Sequence, residues 1–257
     1  MEHSVLDNIN IVLVGTMYGG NIGSAARAMM NMGIRDLRLV NPEEVDTEES
    51  RNLAVNAWEM VRSAPVFSSL AEAVSGSSLV VGTTCRRGRR QTVREYLPRE
   101  IAPLARKTAK DSAVSIVFGP ERGGLTEGEL AACQYLVNIP ASPELPTLNL
   151  SQAVLIICYE LFTSMEHPET VDDYLPGVEY PTQEEREQMF LHIEKTLLDI
   201  GFLSSSNPSH IMLSLRRMLG RESLSRRDLK ILRGIMSRVD WFVEHGVNLS
   251  PEKIRRP

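Results

Sequence analysis

The sequence predicts an α/β protein with a mostly parallel sheet, followed by a small all-helical C-terminal extension. Short apolar runs rich in Val and Ile alternate with helical periodicity through the first two-thirds of the 257 residues, and only helical patterns follow. Runs that are apolar throughout are typical of strands covered by helices on both faces. We therefore expect an α/β domain over residues 1–165, an acidic linker over 166–182 and a helical module over 183–257.

Five strands are predicted from the apolar runs. Each run is four to six residues long and is followed by a turn or by a helical pattern. The predicted strands are Ile9–Val14, Asp36–Val40, Leu79–Gly82, Val114–Phe118 and Tyr135–Ile139.

Six helices are predicted in the α/β domain and three in the C-terminal module, from apolar positions three and four residues apart. The pattern Ser151–Met165 is apolar on most sides, so we expect that helix to be largely buried. The others in the first domain are Ile22–Met32, Arg51–Arg62, Ser69–Ser75, Arg99–Lys107 and Thr126–Cys133. The C-terminal patterns are Gln183–Ile200, Pro208–Leu219 and Ser225–His245, and Trp58 and Trp241 are expected to be packing residues.

The composition excludes several classes of protein. No apolar run reaches the roughly 18 residues that span a bilayer, and the first residues do not have the pattern of a signal peptide. The three cysteines form no C-x-x-C pair, and the five histidines are never at metal-ligand spacing. We expect a soluble, cytoplasmic protein that binds neither a membrane nor a metal ion.

The net charge of -5 hides two basic islands. Between Cys85 and Lys110, nine basic residues stand against two acidic ones, and a second island lies between Ser214 and Arg238. Such islands in an acidic protein indicate a defined site for a polyanion. Helices with solvated faces would explain the second island equally well. The first island is centred on Arg86, Arg87, Arg89 and Arg90, which directly follow a predicted strand.

The first glycine-rich segment, Gly15–Gly23, joins a predicted strand to a helix, where α/β proteins bind ligands. A P-loop would need a lysine at Asn21, and the glycine spacing does not fit the dinucleotide motif. Arg27 lies on one helix face with Gly23, so we expect the small glycine to leave room beside the guanidinium. An ordinary surface arginine would have the same spacing.

Two later segments are similar in character. Residues 118–126 close one strand and open a helix, with Thr126 and Glu129 forming a capping box. Residues 140–153 place prolines, hydroxyls and amides before the buried helix, with Asn149 as its N-cap, although a stiff loop would need the same residues. Glycine turns at the carboxyl ends of two strands indicate one shared crevice.

Together the three segments resemble the three motifs of the SPOUT methyltransferases, and most closely those of the TrmJ-like tRNA ribose 2′-O-methyltransferases. The resemblance covers residues 9–165, and the helical tail is similar to the C-terminal extension of that branch. It implies a trefoil knot within about 114–165, a homodimer, S-adenosyl-L-methionine as cofactor, and the ribose of tRNA nucleotide 32 as target. The matching segments are Asn21–Met29, Phe118–Leu125 and Leu148–Val154.

The resemblance also implies roles for individual residues. Arg27 and Asn21 would be the catalytic pair, supported by Thr147 and Asn149, and the basic loop 86–90 would hold the RNA backbone. The residues that would hold the cofactor are Gly82, Thr83, Gly119, Pro120, Glu121, Gly123, Ile139, Leu148 and Asn149.

The chain departs from the usual motifs at two places. Tyr18-Gly19 stands where His-Pro is common, and Thr147 stands where a serine is common. Three alternatives stay open from the sequence: a superfamily member that modifies another RNA or a base, an RNA-binding relative without activity, and a doubly wound nucleotide-binding regulator. The glycine spacings disfavour the last.

Overall fold

The computed structural model describes most of the chain. The basic loop Arg86–Arg90 and most of the predicted linker lie outside the described residues. The described ranges are 4–85, 95–164, 179–203, 209–219 and 224–245.

The sheet has seven strands, and every neighbouring pair is parallel, in the order β3-β2-β1-β6-β4-β7-β5. All five predicted strands are present, which confirms the predicted α/β class. The two additional strands, β3 and β5, are two residues long and lie at the two edges, so no apolar run marks them. The strands are β1 (Ile9–Val14), β2 (Asp36–Val40), β3 (Val66–Phe67), β4 (Leu79–Thr84), β5 (Glu95–Tyr96), β6 (Val114–Phe118) and β7 (Tyr135–Asn138).

Ten α-helices are present in the described part of the chain. None of them is both long and apolar enough to cross a bilayer. The first seven are α1 (Gly19–Asn31), α2 (Glu48–Ala54), α3 (Trp58–Ser63), α4 (Leu70–Val74), α5 (Pro98–Ala109), α6 (Glu127–Ala132) and α7 (Leu150–Thr163). The last three are α8 (Gln183–Asp199), α9 (Ser209–Leu219) and α10 (Arg226–His245).

Alternate residues of the central strands enter two separate cores. On β1, Ile11 and Leu13 pack in a cluster with residues of α1, α5 and α7. Val12 and Val14 point to the other face and pack with α4 and with Leu136. Both faces of the sheet are therefore covered, as continuous apolar strands require.

The predicted helix Arg51–Arg62 is broken at Val55. This residue has a φ of 50° and ends α2, and one turn of 3₁₀ helix over Val55–Ala57 leads into α3. A β-branched residue disfavours positive φ, so nothing in the local sequence marks the break.

Helices α1 and α2 meet at backbone distance beside Gly23. A Cβ atom on this glycine would overlap the carbonyl of Ser50 in α2. The space beside Gly23 is therefore filled by α2, and the expectation that it leaves room for the Arg27 guanidinium is wrong. Arg27 is exposed instead.

The C-terminal helices have a small core of their own and are docked on the sheet domain. The first-turn amides of α8 donate hydrogen bonds to the turn before β4, Gln183 to the Ser77 carbonyl at 2.9 Å and Glu184 to the Ser75 carbonyl at 3.0 Å. Arg186 is buried and donates from Nη2 to the carbonyls of Ser78 and Pro181. The separate core contains Met189, Phe190, Ile193, Leu203, Met212 and Leu229.

Candidate active site

A cleft of about 430 Å³ opens at the carboxyl ends of β4, β6 and β7. This is where parallel α/β sheets bind their ligands. The loops after β6 and β7 and the segment before α7 form its walls, as the sequence predicts for a shared crevice. The predicted site residues that line it are Thr83, Gly119, Pro120, Glu121, Gly123, Ile139, Thr147 and Leu148.

Four other predicted site residues, Gly82, Asn21, Asn149 and Arg27, are not part of the cleft wall. Gly82 lies behind it on β4, where a Cβ atom would stand 2.7 Å from the Sγ of Cys133. Asn21 donates a hydrogen bond to Glu121 on the cleft wall, and Asn149 donates one to Asn21. Arg27 is exposed, and among the described residues it has no hydrogen-bond or ion-pair partner.

A chain of hydrogen bonds joins the three predicted segments. Glu121 Oε1 accepts from Asn21 Nδ2 at 2.7 Å, and Oε2 accepts from the Met17 amide at 3.1 Å. Asn149 Nδ2 donates to Asn21 Oδ1 at 3.0 Å. Asn149 Oδ1 accepts from the amide and hydroxyl of Ser151 and so caps α7, as predicted. A carboxylate only accepts, so Glu121 fixes which end of the Asn21 amide is the nitrogen.

The cleft walls combine apolar side chains with exposed backbone. Gly119 is packed so closely on the following turn that a Cβ would overlap the Leu125 amide. Gly123 and Gly124 have φ values of 91° and 66°, a region that favours glycine. The apolar side chains include Phe118, Leu125, Leu130, Val137 and Ile139. Such a cleft suits a flat, partly polar ligand that is held by backbone groups.

The three cysteine thiols of the chain are not equivalent. Burial raises the pKa of Cys133 to about 12, and burial has the same effect on the pKa of Cys158. Both thiols therefore stay protonated near neutral pH and fill space. Cys85 is exposed at the edge of the cleft. Within the described ranges, no group of three potential metal ligands is found.

Three groups that take part in the site are not predicted from the sequence. The Met17 amide and the Ser151 hydroxyl both complete the hydrogen-bond chain, and Cys133 supports Gly82 from behind. For Ser151 the sequence gives a partial signal, because the backbone amide two residues after an N-cap asparagine usually donates to the cap, whereas its hydroxyl bond is not predicted. A backbone amide and a through-space contact leave no such signal.

A parallel sheet with a cleft at the strand ends is shared by many α/β proteins, so the class of this one comes from its similarity to known families. Residues 8–159 match the model of the SpoU rRNA Methylase family, and residues 184–250 match the model of the tRNA methyltransferase TrmJ C-terminal domain. The chain belongs to this family and, within it, to the TrmJ methyltransferases. The predicted superfamily, branch and enzyme class are thereby confirmed.

Several relatives align over almost their full length. The tRNA (cytidine/uridine/adenosine-2′-O-)-methyltransferase TrmJ of Pseudomonas aeruginosa is 41% identical over 244 residues, which cover 91% of this chain and 94% of that protein. The tRNA (cytidine/uridine-2′-O-)-methyltransferase TrmJ of Pectobacterium atrosepticum is 41% identical over 238 residues, 91% and 98% of the two chains. The crystal structure of TrmJ from Z. mobilis ZM4 superposes with a TM-score of 0.78 at 33% identity, covering 90% of this chain and 98% of that one.

Proposed function

We propose that this protein methylates the ribose 2′-oxygen of cytidine or uridine in tRNA, at nucleotide 32 of the anticodon loop, with S-adenosyl-L-methionine as methyl donor. The observation that carries the proposal is the chain of hydrogen bonds from Glu121 through Asn21 to Asn149, beside a cleft of cofactor size. The names of the relatives support the substrate class.

The residues of the cleft fit this cofactor. Its apolar walls suit an adenine ring, and the loop around Gly119 offers backbone groups without side chains in the way. Thr83, Pro120, Ile139 and Leu148 would hold it together with that loop. When bound, S-adenosyl-L-methionine supplies a methyl group on a positively charged sulfur. The protein must then align the 2′-oxygen and assist the loss of its proton.

Asn21 and Asn149 are arranged to orient the ribose. Each amide uses one of its two N–H groups inside the hydrogen-bond chain, and the second remains for substrate oxygens. Thr147 also lies on the cleft wall, and its hydroxyl can both donate and accept a hydrogen bond. Because these groups are held before substrate arrives, little free energy is lost in ordering them.

Arg27 has a different role in this scheme. A guanidinium rarely gives up its proton, so it is a poor general base. It is exposed and unpaired among the described residues, and we assign it to grip a phosphate next to the target ribose and to stabilise the developing alkoxide. The proton then leaves to water or to the phosphate.

The test is transfer of labelled methyl to unmodified tRNA, followed by digestion and mass spectrometry of the nucleosides and mapping of the modified position. We expect 2′-O-methylcytidine or 2′-O-methyluridine at nucleotide 32. Arg27→Lys should lose most turnover because lysine lacks the bidentate fork, whereas Arg35→Lys, at another exposed arginine, should keep it. Cofactor binding without any transfer would favour an RNA-binding relative that lacks activity, and a methyl group at another nucleotide would reject position 32.

The basic loop carries the first contact with RNA in this proposal. Neutralising Arg86 and Arg87 should raise the KM for tRNA and reduce its salt dependence, because fewer phosphates are neutralised, and Arg89 and Arg90 should act in the same way. The affinity for the cofactor should not change. An equal loss of cofactor binding would reject this assignment.

A homodimer is part of the proposal. Leu155, Tyr159 and Phe162 form an exposed stripe on α7, and they are 40%, 52% and 49% exposed. Their spacing of four and three residues places them on one face, and such a stripe indicates a protein–protein interface. Tyr159→Glu should therefore give a monomer in light scattering. A dimer of unchanged mass would reject this face as the interface.

The remaining parts of the proposal concern organisation. We infer a knot within about 114–165, which is supported by the position of β6 between β1 and β4 in the sheet. We also infer that the chain is divided into a domain over 1–165 and a helical module over 183–257, joined by a linker over 166–182. We place the enzyme in the cytoplasm because its proposed substrate is tRNA.

A further inference from the structure

The long helix α10 turns one face to the protein and the opposite face to solvent. On the inner face, Leu229 is buried, and Asp240 accepts hydrogen bonds from Thr196 at 2.5 Å and pairs with His192 at 2.7 Å, both on α8. The outer face consists of residues three or four positions apart. These residues are Arg227, Ile231, Gly234, Arg238, Trp241 and His245, all exposed.

Three flat groups are stacked in a column on this outer face. The guanidinium carbon of Arg238 lies 4.6 Å from the ring centroid of Trp241 and 4.8 Å from that of the neighbouring Phe242. The Trp241 and His245 rings are 4.9 Å apart and 16° from parallel. Trp241 is 39% exposed, which differs from the expectation that it is a packing residue. A column of this kind has the geometry on which nucleobases stack.

The same helix carries cations that are not held in ion pairs with the described residues. Arg216 is paired with Glu187 at 2.6 Å, and Arg226 with Glu179 at 3.3 Å, so these two members of the second basic island are used inside the module. Within the described ranges, the other cations of α10 form no ion pair. They are Arg227, Lys230, Arg233 and Arg238.

Free cations and a stacked column together select one kind of partner. Cations attract any phosphate backbone, but only unpaired bases can present a face to stacked rings. We propose that the outer face of α10 binds a single-stranded loop of the tRNA, with an unpaired base added to the column of Arg238, Trp241 and His245. This inference rests on the proposed function, because it takes tRNA as the substrate.

The protein contains two tryptophans, so Trp58→Phe leaves Trp241 as the only one. Its fluorescence can be followed while unmodified tRNA, an isolated anticodon stem-loop or an RNA duplex of equal length is added to the full chain. We expect quenching by the tRNA and by the stem-loop, and little by the duplex. Equal quenching by the duplex, or no quenching by the tRNA, would overturn the proposal.

Substitutions on α10 distinguish a loss of base stacking from a loss of folded structure. Trp241→Leu should raise the Kd for tRNA about tenfold, and Trp241→Phe should restore most of the affinity. Val243→Ala, at an exposed apolar side chain elsewhere on α10, is the control and should bind as the parent does. Circular dichroism checks that each variant is folded. Unchanged tRNA affinity in folded Trp241→Leu, or a change of oligomeric mass in place of the affinity loss, would overturn the assignment to RNA.

The two proposals fail in different ways. If methyl transfer to tRNA occurs but Trp241 does not respond, the function stands and the stacking site is rejected. If the stem-loop quenches Trp241 but no methyl group is transferred, the stacking site stands and the proposed activity is rejected.

Discussion

At the scale of single residues, Glu121 is the group on which the arrangement of the site depends. Its two carboxylate oxygens accept from two different places, the Asn21 side chain and the Met17 amide. Only a group that accepts at both atoms can do this, and a carboxylate is such a group. Glu121 therefore positions the glycine-rich segment Gly15–Gly23 and also lines the cleft.

Glu121→Gln should reduce kcat about 100-fold, because one end of the glutamine amide donates and so cannot accept from both partners. The KM for the cofactor should change much less. Steady-state methyl transfer with both substrates varied measures the two effects separately. Glu144→Gln, at an exposed carboxyl in the segment before α7, is the matched control. A large loss of cofactor affinity at unchanged kcat would contradict the positioning role.

Gly82 and Cys133 form a second close contact that can be tested. Gly82→Ala should cost about 2 kcal/mol of unfolding free energy, since its Cβ would stand 2.7 Å from the Cys133 sulfur. Adding Cys133→Ala to Gly82→Ala should recover part of this loss of unfolding free energy. The loss caused by Gly119→Ala cannot be recovered by a second side-chain substitution, because the new Cβ would overlap backbone atoms. Denaturant unfolding of the singles and the double measures the coupling. If the changes in unfolding free energy of the two single variants simply add in the double variant, the two positions do not interact.

The sequence predicts the main polar residues of the site but not how they are connected. Asn21, Glu121 and Asn149 are identified because each stands in a recognisable segment. The hydrogen bond between Glu121 and Asn21 joins two loops that are about one hundred residues apart in sequence, so no local pattern predicts it. The contact of Gly82 with Cys133 and that of Gly23 with Ser50 have the same origin, since only tertiary packing creates them.

At the scale of elements, the apolar sequence pattern predicts a strand well where the strand is fully buried and poorly where it is partly exposed. The six residues of β1 are all buried, and its predicted bounds agree with the structure. The edge strand β3 is two residues long, with Val66 exposed, so no pattern marks it. The sequence also does not predict the break at Val55, because a β-branched residue is rarely found at positive φ.

The contact between α8 and α10 should depend on pH. Hydrogen bonds from Thr196 and then His192 lower the pKa of Asp240 below its usual value of about 3.9. A carboxyl whose pKa is lowered by folding stabilises the folded state above the unfolded pKa, and this stabilisation is lost as the pH falls through the folded pKa. The contribution should therefore be complete above about pH 5 and decline below about pH 4.

Asp240→Asn tests this prediction. The variant should unfold about 1 kcal/mol more easily at pH 7, and the difference from the parent should shrink below about pH 4. Urea unfolding across that range provides the measurement, with Asp199→Asn, at a more exposed pair with Lys195, as control. A difference that stays constant down to pH 3 would contradict it.

At the scale of the whole molecule, the helical module is attached through a buried guanidinium. Arg186 is 3% exposed and reaches the turn before β4, where the first turn of α8 is also bound. That strand ends at Thr84 in the cleft. The docking therefore links the C-terminal helices to one end of a strand whose other end lines the cleft that we propose as the cofactor site.

Arg186→Ala should lower the Tm by about 5 °C, because buried carbonyls lose their donor. Arg226→Ala removes an exposed pair and should lower it by no more than about 2 °C. Scanning calorimetry compares the two, and limited proteolysis near residues 179–186 reports whether the module loosens. Equal, small shifts would mean that Arg186 does not hold the module in place.

The strand order also governs how the chain can fold during synthesis. The central strand β6 inserts between β1 and β4, which the ribosome has completed earlier, and Ile9 finds its partner only when Val114 has emerged. Until then β1 and β4 present unpaired edges, the kind of surface on which nascent chains aggregate. Such distant pairing slows folding, so we expect the growth temperature and the supply of chaperones to determine how much active enzyme a cell obtains.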